Sequence, residues 1–164
     1  MELSKKEKIF VSLFFIGVII WIGGSITRGA IAYDIFELNK QTIVLRPWVD
    51  EKIASITVRN FAVGSIYTII GFLLTVVSFL FLLTKIKSNF KKEGWLLIST
   101  ILYALAFVSE IILSYFDIKL NLYVFFSSNV SYYSQEIQTF FYVRLKKFSF
   151  LIIYNWLAIF TIIL

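Results

Sequence analysis

No cysteine and no histidine occur in the 164 residues of this chain. Their absence excludes disulfides, thiol redox chemistry, Cys/His zinc sites and histidine-ligated haem. Cys–His and Ser–His–Asp catalysis are removed as well. The compartment stays open, because a membrane-embedded fold does not depend on disulfides. Proline occurs once, at Pro47, so every long apolar stretch is free of helix breakers. Charge is also scarce: Asp, Glu, Lys and Arg make up 16%, where a soluble domain carries roughly a quarter.

What the chain has is apolar surface in long blocks. Hydrophobic residues reach 59%, and the blocks fall at 9–28, 61–84, 95–116 and 148–164. Each is close to the ~20 residues that cross ~30 Å of hydrocarbon at about 1.5 Å per residue. In lipid the backbone must pair with itself, so the segments are expected to be helices. The expected fold is an all-α integral membrane protein. It is a single domain over 1–164, with four transmembrane helices in a bundle and two longer outer loops. The first block follows a basic leader and precedes Ala30-Ile31-Ala32, which has the form of a signal-peptidase site. An uncleaved anchor is preferred, because the run is long for a signal peptide and Arg28 interrupts it. The last block is still apolar at Leu164, which reads as a chain that continues.

Orientation follows from lysine and arginine near the block ends. Lys5, Lys6 and Lys8 lead the first block, and Lys85, Lys87, Lys91 and Lys92 crowd the short link after the second. In the longer loops basic residues are diluted among Asp34, Glu37, Asp50, Glu51, Asp117 and Glu136. Leader and link are therefore assigned inside, with both termini cytoplasmic and the plasma (inner) membrane as location. Lys146 and Lys147, before the fourth block, run against this pattern. The net charge of +6 points to the bilayer surface and not to nucleic acid, since the lysines flank apolar runs.

The loops carry two local patterns. Thr42 to Leu45 and Ile53 to Val58 are rich in β-branched residues around Pro47, so a short hairpin is expected there. The second loop is crowded with aromatics, among them Tyr123, Phe125, Phe126, Tyr132, Tyr133, Phe140, Phe141 and Tyr142. Aromatic side chains favour the headgroup region, so this loop is expected to lie along the membrane surface.

Within the blocks, Gly64, Thr68, Gly71, Thr75 and Ser78 recur every three or four residues along one stripe. Small residues let helix backbones approach closely, so the stripe reads as a packing seam, with a groove for a ligand or lipid tail as the alternative. Gly17 and Gly24 have the matching spacing. Glu110 is an acidic residue well inside a block, and a buried carboxylate must be neutral, paired or wet. Depth counting places Arg28, Tyr67, Thr68, Glu110 and Asn155 in one polar layer. The layer is read first as a tie between Glu110 and Arg28. A proton or cation site and a Glu that reaches water are the alternatives.

Asp50-Glu51 reads as a solvated turn, since adjacent carboxylates in a turn diverge. Arg46 and Trp48 are candidate interface anchors, Trp48 serving a partner or the membrane surface. No cofactor or metal is expected. The functional expectation is a non-enzymatic membrane subunit that binds a larger membrane protein complex through helix packing and outer loops. The alternative is a small transporter or channel component centred on Glu110.

Overall fold

Ser4 sets where the first helix begins. Its Oγ accepts from the Glu7 backbone N–H at 3.3 Å, and Glu7 Oε2 accepts from the Ser4 N–H at 2.8 Å. This capping box satisfies two of the orphan donors at a helix start. The structure, a computed structural model, describes residues 4–39, 42–85, 94–127 and 130–160. Helix α1 runs Lys5–Asp34, strands β1 and β2 are Phe36–Asn39 and Thr42–Leu45, and α2 runs Glu51–Lys85. Helix α3 is Gly94–Phe126. A helical run of changing pitch follows: α4 (Gln135–Ile137), a π turn (Gln138–Tyr142), α5 (Val143–Phe148), a 3-10 turn (Ser149–Leu151) and α6 (Ile152–Phe160).

Among the described residues, three helices are long and apolar enough to cross a membrane: Lys5–Asp34, Glu51–Thr84 and Gly94–Phe126. Their outward faces carry apolar side chains such as Ile19, Leu73, Val77, Ile98, Val108 and Ile111. That surface is compatible with an integral membrane protein. Helix α6 is shorter at 9 residues. The fourth apolar block therefore opens with a 3-10 turn and is not one continuous helix from 148. Residues 161–164, and most of the basic link at 86–93, lie outside the described residues.

The three long helices overrun the blocks read from sequence. They have 30, 35 and 33 residues, or roughly 45–53 Å at about 1.5 Å per residue. The extra turns of α1, α2 and α3 gather at one end under strands β1 and β2 and residues 130–142. There they build a core of their own from Ile35, Phe36, Val58, Leu120, Tyr132 and Phe141. The other half has a separate aromatic core, with Phe14, Trp21, Phe72 and Tyr103 buried against Phe79 and Phe107.

Two loop expectations are corrected here. The hairpin forms, but the partner of Thr42–Leu45 is Phe36–Asn39, in antiparallel register Phe36↔Leu45 to Asn39↔Thr42. Ile53 to Val58 is helical, because Asp50 caps α2: its Oδ1 accepts from the Ile53 N–H at 2.7 Å. A side-chain cap outweighed β-branched propensity. The aromatics of the second loop are divided between surface and core: Phe125, Phe126 and Tyr133 are exposed. Tyr123, Phe125 and Phe126 belong to α3, and Tyr132 and Phe141 are buried in the core of the cap. Burying two large rings in a core yields more than resting them at an interface.

Candidate functional site

Between the two apolar cores lies a belt of buried polar side chains. Ala106, Glu110, Leu113, Asp117, Leu120 and Val124 share the buried face of α3 at helical spacing. Two carboxylates therefore project inward, on a buried face that also carries Ser99, Ser109 and Ser114.

Asp117 is completely buried and faces two arginines. Arg28 Nη1 of α1 donates to Asp117 Oδ2 at 2.5 Å. Arg144 Nη2 of α5 donates to the same oxygen at 3.2 Å, and its Nε lies 2.7 Å from Oδ1. Both guanidiniums sit 5.2 Å from the ring centre of Phe61 on α2. The phenyl face supplies attraction that a second carboxylate would otherwise have to provide. One cluster thus joins α1, α2, α3 and α5. The burial of Asp117 corrects its placement among the loop acids.

Glu110, 1% exposed, has a different partner. Asn155 Nδ2 of α6 donates to Glu110 Oε2 at 2.7 Å. Arg28 forms its ion pair with Asp117 and lies only within electrostatic reach of Glu110. The single polar layer read from sequence is thus divided in two: Arg28 with Asp117 and Arg144, and Glu110 with Asn155. Tyr67, 61% exposed, points outward and belongs to neither. Thr68 is buried against α1.

The small stripe of α2 faces α1 in antiparallel sense. A Cβ on Gly17 would come within 2.8 Å of the Thr75 backbone nitrogen, and one on Gly24 within 3.1 Å of the Thr68 nitrogen. A Cβ on Gly71 would meet the backbone of Trp21 and Gly17, and one on Gly64 would meet the Arg28 side chain. Thr75 and Thr68 return their hydroxyls to Gly71 O and Gly64 O at 2.8 and 3.3 Å. Ser78 is buried on the same face. With the hydroxyls satisfied inside their own helix, the contact is one of backbone surfaces.

At the capped end, Arg46 Nε donates to Phe36 O at 3.0 Å and holds the turn after β2. Trp48 is 54% exposed. Asp50 caps α2, and Glu51 accepts from the Ser131 hydroxyl, so both carboxylates hold structure together. The Tyr132 N–H donates to Ser55 Oγ at 3.1 Å, a second tie between the start of α2 and the second loop. An open cleft lined by Asp50, Glu51, Lys52, Ser55, Ile56, Val130 and Ser131 lies along this junction. No group of three or more acidic side chains that could hold a metal occurs among the described residues.

Arg144 and Asp117 were missed by sequence reasoning. For Asp117 the signal was its register with Glu110 and Leu113 on the buried face of α3. For Arg144 the matching signal was Ile137, Phe141 and Leu145, which share its buried face. No family model, curated protein or solved structure matches this chain.

Proposed function

We propose that the chain is a non-enzymatic, four-span membrane protein that docks onto a larger membrane protein through its capped end. The observation that carries this reading is the cap itself. The second loop is tied to the first turns of α2 over a private core, and Trp48 and Tyr133 are left exposed. Rigid exposed aromatics on a preorganised surface are the usual anchors of an interface. The carboxylates near them are engaged in capping and loop ties, which argues against acid–base chemistry there. Helix α2 meets α1 through its small stripe, so docking falls to the cap.

A photo-crosslinking amino acid at Trp48 or Tyr133 tests this in cells. The expected result is one recurrent adduct with a larger membrane protein from both sites, and none from Val108 on the apolar exterior. Adducts only with lipid, or only with a second copy of the chain, would count against the reading. The second reading is a small transporter or channel component, favoured by the burial of Glu110. It gains if the protein purifies alone and carries ion flux in vesicles.

The proposed orientation puts both termini in the cytoplasm and the cap outside, in the plasma (inner) membrane. Glu37→Cys, exposed on β1, should react with an impermeant maleimide in intact cells, whereas Ser88→Cys, in the basic link, should be protected until lysis. Glu37 suits the test because it is not one of the proposed docking aromatics. The chain has no native cysteine to add background. Labelling of Ser88→Cys alone would invert the topology.

A further inference from the structure

The Glu110–Asn155 contact leaves half of each group unused. Asn155 Nδ2 donates to Glu110 Oε2, but Glu110 Oε1 and Asn155 Oδ1 are buried without a hydrogen-bond partner. As a carboxylate, Glu110 offers Oε1 only as an acceptor, and Asn155 Oδ1 is also only an acceptor. Neither can satisfy the other, and two unmet acceptors in a dry interior are costly. A proton on Oε1 changes this, because a carboxylic acid and a primary amide are complementary through two hydrogen bonds.

The ionised form has its own support. Charged groups within reach of Glu110 are Arg28 on α1, Asp117 on its own helix and Arg144 on α5. None of that set comes from α2, and α6 supplies the neutral Asn155. Two arginines against one aspartate leave one uncompensated positive charge beside Glu110. Arg28 Nε, moreover, is without a partner. Burial favours the acid form, whose hydroxyl Asn155 Oδ1 could accept, whereas the Asn155 N–H and the excess charge on the arginine side favour the carboxylate. A narrow, mostly apolar crevice between α1 and α6 has Trp21, Ser25 and Asn155 in its lining but not Glu110. Trp21 Nε1, Ser25 Oγ and Asn155 Oδ1 are buried without hydrogen-bond partners.

We propose that Glu110 and Asn155 form a reversible proton-binding site, with Asn155 standing between Glu110 and the α1–α6 crevice. The bound species is a proton taken by Glu110 Oε1 from water. A metal cation is disfavoured by the adjoining positive charge. This goes beyond the docking reading and does not depend on it.

Infrared difference spectroscopy of the full chain in lipid nanodiscs, titrated with pH, tests the proposal. The unaltered chain should show a protonated-carboxyl band that disappears as the pH is raised. Glu110→Gln, which keeps the shape and the pairing with Asn155, should lack that band. Asn155→Ala should move the band to higher frequency, because the acid carbonyl loses the amide donor. Exchanging potassium for sodium should leave the midpoint where it was. A band that never forms, or that never titrates while the protein is folded, overturns the proposal. So does a band unmoved by Asn155→Ala, and a sodium-dependent midpoint assigns the oxygens to a metal cation instead. The titration and the sodium exchange are read on the unaltered chain, and Glu110→Gln, isosteric with the acid form, assigns the band to Glu110.

Discussion

Asp117→Ala lowers the stability of the folded protein by about 3–5 kcal/mol, the usual effect of removing one partner from a buried ion pair. The reason is the charge count of the cluster. Asp117 is the shared acceptor of Arg28 and Arg144, all three are buried, and its removal leaves two guanidiniums close together beside Phe61. Arg28→Met acts differently. It leaves Arg144 and Asp117 as a one-to-one pair and replaces a long apolar stem with another, so it costs clearly less. Unfolding in mild detergent, followed by circular dichroism or by proteolysis, measures both variants. Equal losses, or an Asp117→Ala variant as stable as the parent, would show that the cluster does not hold the helices together.

The second large effect is at the α1–α2 contact. Gly71→Ala should destabilise by about 1–3 kcal/mol, as overpacking does, and Gly71→Leu by more. A Cβ at this position meets backbone, with Gly17 O and Ile20 C both 2.9 Å away, and backbone cannot rotate out of the way. The helices must separate instead. Gly23 and Gly29 serve as internal controls, because a Cβ on either meets nothing within 4 Å. Alanine there should stabilise by about 0.5–1 kcal/mol through helix propensity alone. If Gly71→Ala and Gly23→Ala melt alike, the two helices are not in backbone contact at Gly71.

Local chemistry alone determined the long apolar helices, because block length, the lone proline and the scarcity of charge are each properties of a short window. The spacing of Gly64, Thr68, Gly71, Thr75 and Ser78 is likewise local, but what that stripe faces is not. Pairing was decided only by the tertiary structure. Asp117 meets residues 89 and 27 positions away in the chain, and no window around it distinguishes a buried acid from one in a solvated loop. Depth counting brought Arg28 and Glu110 to similar levels, but depth leaves rotation about the helix axis free. Rotation and the seating of α5 gave Arg28 to Asp117, and Asn155 to Glu110. The aromatic loop shows the same limit: its composition suits a membrane surface or a core equally. The projecting ends of α1, α2 and α3 supplied that core, because they left apolar faces that Tyr132 and Phe141 could cover.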